Sequence, residues 1–168
     1  MILVTVGTHT QGFERLVRPM DALAAALDER VVIQRGSSSY TPRHAEHFRW
    51  TTSEHMEELT AEARVVVAHA AAGAIILALR EKKPLVVAPR LARYGEHFDD
   101  HQLQLATMLD AQSKALVVYE PSLDTLRAAI QRVAIRNPPD HVGPTQLVHA
   151  LQQQLNQWCT TTAPSTIY

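Results

Sequence analysis

The densest group of hydrogen-bonding side chains in this sequence is the run RLARYGEHFDDHQLQ, residues 90–104. His97 and His101 are four residues apart, so they would share one face of a helix, and with Asp100 they could hold a metal ion. The order differs from HExxH, and no third ligand is obvious. Two other interpretations stay open. The run is either a solvated helix start, with Asp99 and Asp100 near the positive end of the dipole, or a loop that hydrogen-bonds a nucleotide or a sugar.

A second segment of interest is HAAAGA, residues 69–74, which joins a predicted strand to a predicted helix. Small side chains would let a ligand approach the helix N-terminus, where free N–H groups and the dipole favour phosphate. The alternative is that the alanines and the glycine only let the helix pack on the sheet. The sequence Gly7-Thr8-His9 after the first strand is a weaker signal. Neither GxxxxGK[ST] nor GxGxxG occurs, which disfavours a kinase or a simple NAD enzyme.

Alternating strands and helices are predicted to position these segments. Short β-rich apolar runs predict strands, and apolar residues spaced by three and four predict helices. The predicted strands are 2–6, 31–33, 65–68, 85–88 and 116–118, with a short edge strand near 48–50, and the predicted helices are 13–27, 70–81, 97–111 and 122–135, with a helix start near Ser53 and a terminal helix from Pro144. This alternation predicts an α/β fold, a Rossmann-like parallel sheet with helices on both faces. Ligands bind such sheets beyond the carboxyl ends of the strands, where both segments fall.

Length and composition narrow the class of protein. The chain has 168 residues, with 16 Lys+Arg against 17 Asp+Glu and a formal net charge of −1. This near-neutral balance disfavours a general nucleic-acid binder, which needs a basic face. We expect one domain over residues 1–157 and a flexible tail over 158–168. The single cysteine, Cys159, fits a reducing compartment, and we expect no signal peptide and no membrane-spanning helix.

Several motifs together carry a resemblance to a known family. They are ILVTVGTH with FERL at the start, QRGSSSY at 34–40, HAAAGA at 69–74, KPLVVAPR at 83–90 and YGEHFDDHQL at 94–103. They occur in order over roughly residues 1–130 and resemble small bacterial glycosyltransferase subunits of the PssE type, which are related to the C-terminal domain of glycosyltransferase family 28. They are also similar to the soluble donor-binding subunit of the split dolichol-pathway N-acetylglucosaminyltransferase and to the donor-binding half of the lipid II transferase.

The resemblance implies the donor half of a GT-B glycosyltransferase that is divided between two chains. The partner would be a membrane-anchored, PssD-like subunit that binds the acceptor. The reaction would be inverting transfer from a UDP-sugar to a polyprenyl-diphosphate-linked acceptor in exopolysaccharide or glycan biosynthesis. It would need no metal ion and no cofactor. The chain would be cytoplasmic and recruited to the inner face of the cell membrane by its partner.

The resemblance also implies which residues bind the nucleotide-sugar. They are Gly7, Thr8, His69, Gly73, Ala74, Arg90, Glu96, His97, His101, Gln102 and Gln104. The turn at Gly73 and Ala74 would face the diphosphate, and the strand end at Arg90 would flank the uracil. His101 and the two glutamines would bind sugar hydroxyls or phosphate, and Gly7 and Thr8 would line the cleft toward the acceptor. The general base is expected from the partner, and His9 is the local candidate.

The sequence departs from the family pattern in the segment HAAAGA, residues 69–74, and in the helix that follows it. Ala71 replaces the first glycine of the family's His-Ala-Gly-x-Gly-Thr/Ser motif, Ala74 replaces its hydroxyl residue, and Leu77 stands where some relatives place an acid for the ribose. Loss of one hydrogen bond to phosphate would cost about 1.5–3 kcal/mol. These changes support an alternative function, a non-catalytic subunit that stabilises or enhances a membrane glycosyltransferase. A third hypothesis is a metal-dependent hydrolase that uses His97 and His101.

Overall fold

The computed structural model describes residues 1–135, which form an α/β fold around one parallel sheet. The strands are β1 Ile2–Thr5, β2 Val31–Gln34, β3 Glu46–Phe48, β4 Val65–His69, β5 Leu85–Ala88 and β6 Leu116–Val117. The helices are α1 Glu14–Ala24, α2 Ser53–Glu62, α3 Ala72–Arg80, α4 His101–Ala111 and α5 Leu123–Ile135, with a 3₁₀ turn at Ala92–Tyr94. The alternation predicted from the sequence is confirmed.

The strands lie in the order β3-β2-β1-β4-β5-β6, and every pair is parallel. The chain proceeds outward from β1 in one direction and then returns to place β4 on its other side. The connections after β1 and β4 therefore diverge, and a crevice opens between them at the carboxyl edge of the sheet. Both loops that the sequence analysis singled out are at this edge.

Helices cover both faces of the sheet, as predicted. Val4 and Val67 point to the face that α1 and α5 cover, where Leu16 and Leu126 are fully buried. Neighbouring strand positions point to the opposite face, which α2, α3 and α4 cover. Because both faces are covered, the central strands are apolar along almost their whole length. This double core fixes the position of the loops at the carboxyl edge.

Several element boundaries differ from the predictions, by one to four residues. The helix predicted over 97–111 begins at His101, because a turn precedes it in which the Asp100 carboxylate accepts a hydrogen bond from the Ala92 N–H at 2.9 Å. The helix predicted over 70–81 begins at Ala72, and the edge strand lies at Glu46–Phe48. The predicted terminal helix, the domain end at 157 and the tail 158–168 lie outside the described residues. Over residues 1–135, no helix combines the length and the apolar character needed to cross a bilayer.

Candidate functional site

A groove of about 570 Å³ lies at the carboxyl edge between the loops that follow β1, β3 and β4. Its floor is formed by strand ends and by the first turns of α2 and α3. The residues that line it are Thr5, Gly7, Thr8, Gln34, Trp50, Thr51, Thr52, Ser53, Met56, Glu57, His69, Ala71, Gly73, Ala74, Ile76, Leu77 and Arg80. Five of the predicted binding residues are therefore together here, namely Gly7, Thr8, His69, Gly73 and Ala74. Grooves of this volume accommodate small-molecule ligands.

The N-terminus of α3 opens into this groove without a side-chain cap. Ala71 occupies the N-cap position and makes no side-chain hydrogen bond, whereas Thr52 caps α2 by accepting from the His55 N–H at 3.2 Å. A Cβ at Gly73 would meet no protein atom within 4 Å, so the approach to the first turn is open. Uncapped N–H groups and the positive end of the dipole make this turn suitable for an anion.

The wall opposite α3 is the turn at Gly7, which contacts His69. Gly7 has φ of +75°, and a Cβ there would lie 2.5 Å from His69 Nε2, so conformation and space both require glycine. His69 is 8% exposed, and its Nδ1 lies 3.3 Å from the Thr5 carbonyl oxygen. Burial lowers the pKa of His69 from 6.5 to about 3, and the charge of Arg90 adds to that decrease. His69 is therefore a neutral imidazole at physiological pH, with Nδ1–H donating to the carbonyl.

Gln34 holds the β1 loop in place, which the sequence analysis did not predict. Its buried amide oxygen accepts from the Thr5 hydroxyl at 2.8 Å and from the Gly7 N–H at 3.0 Å. Its amide nitrogen donates to the Gly7 carbonyl at 2.8 Å and to the Arg49 carbonyl at 3.2 Å. The signal in the sequence was a single amide at the end of the apolar run VVIQ. A buried polar side chain at a strand end needs partners, and here they are the site loops.

Arg90 was predicted to flank the uracil, but its side chain is fully buried and does not line the groove. Its guanidinium donates to the carbonyls of Gln11, Gly12, Glu96 and Val6 at 2.7–3.0 Å. Burial lowers the pKa of Arg90 to about 10, with Glu96 opposing that effect, so the group stays charged near pH 7. A side chain with this many main-chain partners cannot reach a base. Arg90 instead ties the β1 loop to the β5 loop.

Glu96 and Gln102 are also buried and engaged within the protein. Glu96 accepts two hydrogen bonds from Arg15, at 2.8 and 3.0 Å, and a third from the Leu91 N–H at 3.1 Å. The Gln102 amide oxygen accepts from the Arg90 N–H at 3.1 Å. In this structure both side chains therefore organise the β5 loop rather than face a ligand. Gln104 is exposed on α4 and does not line the groove.

A second polar cluster lies where the β1 loop meets the β5 loop. The Asp99 carboxylate bridges His97 Nδ1 at 3.0 Å and His101 Nδ1 at 2.6 Å. The ring of His97 stacks on the ring of His9 with centroids 4.7 Å apart, and Phe98 contacts both rings. We call His9, His97, Phe98, Asp99 and His101 the histidine cluster. Within residues 1–135, no group of three or more side chains is arranged to hold a metal ion.

Comparison with known proteins agrees with this geometry. The profile of the glycosyltransferase family 28 C-terminal domain matches residues 1–140. The chain belongs to this family. The resemblance drawn from the motifs is thus confirmed at the level of the family. A comparison with curated protein sequences finds no significant match.

Solved structures with the same fold are GT-B glycosyltransferases. The glycosyltransferase of kitacinnamycin has a TM-score of 0.61 at 22% identity, over 81% of this chain and 35% of its own. CalG4, the calicheamicin glycosyltransferase, has 0.59 at 18% identity, over 93% and 43%. MurG of Acinetobacter baumannii has 0.53 at 15% identity, over 89% and 49%. This family 28 chain therefore spans between about a third and a half of these three structures. The shared fold is the C-terminal domain of these enzymes.

The departures from the family motif fit the local backbone. Ala71 has φ of −123° and ψ of 142°, an extended conformation that alanine adopts freely, so the missing glycine causes no strain. Ala74 and Leu77 both line the groove. The groove surface therefore carries neither the hydroxyl nor the acid that the family resemblance led us to consider at these two positions. Aromatic and hydroxyl groups at Trp50 and Thr51, which sequence reasoning did not single out, line its other side.

Proposed function

We propose that this chain is the donor-binding subunit of a two-component inverting glycosyltransferase and that it binds a UDP-sugar in the groove. The reaction is transfer of the sugar to a polyprenyl-diphosphate-linked acceptor in exopolysaccharide or glycan biosynthesis. The acceptor site belongs to a membrane-anchored, PssD-like second subunit. That subunit brings the chain to the inner face of the cell membrane.

The observation that carries this proposal is the uncapped, open N-terminus of α3 in the groove. Ala71 supplies no cap, and Gly73 leaves free space beside the first turn. The diphosphate leaves the sugar with increasing negative charge, and N–H groups already oriented toward that charge stabilise it without rearrangement. Helix N–H groups and the dipole can supply this stabilisation, so we expect UDP binding to be independent of divalent metal ions.

The need for an acceptor-binding half is inferred from the GT-B enzymes that share this fold. The three GT-B enzymes compared above are about twice as long, since 81–93% of this chain covers 35–49% of them. The acceptor-binding half must then be supplied outside residues 1–135. We expect transfer to a lipid-linked acceptor only when that half is present, whereas UDP binding requires the groove alone.

Titration of UDP into the purified chain by calorimetry tests the proposal, with two substitutions in the first turn of α3. Gly73→Val places a branched side chain in the open approach, where its Cβ meets no protein atom within 4 Å, so we expect the fold to be kept and UDP binding to be lost. Ala74→Ser restores a hydroxyl in the groove. It should tighten binding about tenfold to a hundredfold if that hydroxyl donates to phosphate.

The matched control is Ala128→Val, which adds the same branched side chain at an exposed position of α5. It should bind UDP like the parent. UDP binding that survives Gly73→Val would remove α3 from the site. No saturable UDP binding, even with the partner subunit present, would favour the second candidate function, a non-catalytic subunit that stabilises a membrane glycosyltransferase. The loss of the family hydroxyl at Ala74 is the observation that favours this alternative.

A further inference from the structure

The groove contains one acid and one arginine, both away from the open first turn of α3. Of the described residues that line it, only Glu57 carries a carboxylate and only Arg80 a guanidinium. Glu57 lies on α2 and Arg80 on α3, so the pair joins the two helices whose first turns contribute to the groove floor. The groove therefore has a second place, besides the α3 turn, where charged groups can bind a polar part of a ligand.

The two charged side chains contact each other and remain accessible. Arg80 Nη2 lies 2.9 Å from Glu57 Oε1, and the side chains are 50% and 51% exposed. Arg80 Nε also lies 3.3 Å from Glu81 Oε1, so two carboxylates hold the guanidinium in place. A carboxylate can accept about four hydrogen bonds, so Glu57 can accept from a ligand without giving up Arg80. An ion pair this exposed contributes little to stability, so removing it should leave the fold intact.

The pair lies further along α3 than the open turn. Arg80 is seven residues after Gly73, which places its Cα about 10 Å further along the helix axis. Long side chains on a helix lean toward its N-terminus, so we expect the guanidinium, and the carboxylate it contacts, to lie over the preceding turn. The groove surface between the open turn and the pair is apolar and is formed by Met56, Ile76 and Leu77.

A nucleoside diphosphate presents its groups in a matching order. Its diphosphate is negatively charged, its ribose comes next with neighbouring hydroxyls at 2′ and 3′, and its base comes last. With the diphosphate at the N–H groups of α3, the ribose ring lies beside the apolar surface, and Glu57 is the next polar group along the helix. Two hydroxyls on adjacent carbons can both donate to one carboxylate, and such charge-assisted hydrogen bonds are short and strong.

We propose that Glu57 binds the ribose hydroxyls of the donor nucleotide and that Arg80 is its positioning residue. This inference rests on the proposed function and adds the class of donor, a sugar carried by a ribonucleoside diphosphate. A donor built on a 2′-deoxyribonucleotide lacks one of the two hydroxyls and binds more weakly. The acid comes from α2 and not from position 77 of α3, which is a leucine in this chain.

Comparison of UDP with 2′,3′-dideoxy-UDP isolates the ribose hydroxyls. Calorimetric titration of the full chain measures both affinities. We expect the parent to bind UDP about tenfold to a hundredfold more tightly than the dideoxy nucleotide, because hydrogen bonds to a charged group are lost with the hydroxyls. Glu57→Ala should weaken UDP binding by the same factor and leave the affinity for the dideoxy nucleotide unchanged, so that the two nucleotides bind alike.

The matched control is Glu58→Ala, which makes the same change at the next residue of α2. Glu58 is exposed, pairs with His55 and does not line the groove, so this variant should keep the parental preference for UDP. Any effect of the missing hydroxyls on the conformation of the ribose is present in every variant. It therefore cancels when the ratio of the two affinities is compared between variants.

Two substitutions of Arg80 separate positioning from a structural role. Arg80→Ala removes the cation that orients Glu57, so it should reduce the preference for UDP over the dideoxy nucleotide. Arg80→Lys keeps a cation beside Glu57 and should retain most of the preference. A purely structural role would weaken both nucleotides equally. A preference that is unchanged in Arg80→Ala would refute the positioning role of Arg80.

The outcomes distinguish the two proposals. No UDP binding by the parent would refute the proposed function, and the role of Glu57 with it. UDP binding with a preference that persists in Glu57→Ala, or with no preference in the parent, would refute the role of Glu57 and leave the proposed function in place. Equal weakening of both nucleotides in Glu57→Ala would also refute it, because the acid would then contact another part of the ligand. A preference that is lost in Glu57→Ala and kept in Glu58→Ala would support it.

Discussion

At the scale of single residues, His69 links the stability of the protein to pH. Its imidazole is buried beside Gly7, donates to the Thr5 carbonyl and has a pKa of about 3. In the unfolded chain the pKa returns to about 6.5. Below pH 6.5 the unfolded chain binds a proton that the folded chain excludes, so stability is lost as the pH falls from 6.5 toward 3.

We expect His69 to account for a loss of about 2 kcal/mol in the free energy of unfolding between pH 7 and pH 5. His69→Asn keeps an N–H donor for the Thr5 carbonyl but does not titrate, so its stability should fall less over that range. Urea unfolding of both proteins at the two pH values measures the difference. Equal losses in the two proteins would show that His69 does not carry this dependence.

The sequence indicated which residues could bind a ligand, but it did not indicate where their side chains point. Gly73 and Ala74 line the groove, because a strand–helix turn of small residues has few arrangements, and their contact with a diphosphate stays a prediction. Arg90 and Glu96 are residue types that often bind ligands, but their side chains point inward, where Arg90 donates to the Val6 carbonyl of the β1 loop and Glu96 accepts from Arg15 of α1. The side chains point inward because their partners lie on elements that are far away in the sequence, and the sheet as a whole brings those elements close.

At the scale of elements, one buried arginine joins two loops that are far apart in the sequence. The Arg90 guanidinium donates to Val6, Gln11 and Gly12 on the β1 side and to Glu96 on the β5 side. The guanidinium carbon also lies 4.9 Å from the centroid of the Phe13 ring, just before α1, in a cation–π contact. The two loops that carry His9 and His97 therefore keep a constant separation. The hydrogen bonds of Arg90 therefore both stabilise the fold and position these two loops relative to each other.

Arg90→Lys should reduce the free energy of unfolding by about 2–3 kcal/mol. A lysine ammonium has three donors at one point and cannot serve all four carbonyls, so at least one stays buried without a partner. Arg30→Lys is the control, because Arg30 is 48% exposed and pairs with Glu46 at the surface, where the cost should stay below about 0.5 kcal/mol. Urea unfolding measures both variants. Similar losses in the two variants would contradict the role given to Arg90.

The order of the elements was predictable from the sequence because the spacing of apolar residues differs between strands and helices. The observed strands, apart from edge strand β3, coincide with the short apolar runs. Element ends were less predictable. The helix predicted over 97–111 begins at His101 rather than His97, because the carboxylates of Asp99 and Asp100 accept hydrogen bonds from backbone N–H groups and form a turn. The same turn forms the histidine cluster. The sequence therefore indicated which polar groups this segment carries. How those groups are arranged depends on the conformation of the loop.

At the scale of the whole molecule, residues 1–135 form one α/β unit, and loops from both halves of its sheet form the edge where the groove lies. Members of the family 28 C-terminal domain fold occur within longer GT-B enzymes, of which this chain spans between about a third and a half. The groove lies across β1 and β4, where the order in which strands are added to the sheet reverses. A ligand bound there contacts both halves of the sheet. Binding should therefore stabilise the entire domain rather than one loop.

UDP should raise the thermal unfolding midpoint of the full chain in a concentration-dependent manner. At a UDP concentration of about 100 times the dissociation constant, binding to the folded state alone contributes about 2.7 kcal/mol. For a domain of this size that corresponds to an increase of about 5–10 °C. ADP at the same concentration should produce a smaller increase if the groove recognises uracil, and a chelator of divalent cations should leave the UDP effect unchanged. A midpoint that rises only when a divalent cation is added would contradict diphosphate binding by the helix N-terminus, because the charge would then be neutralised by the ion.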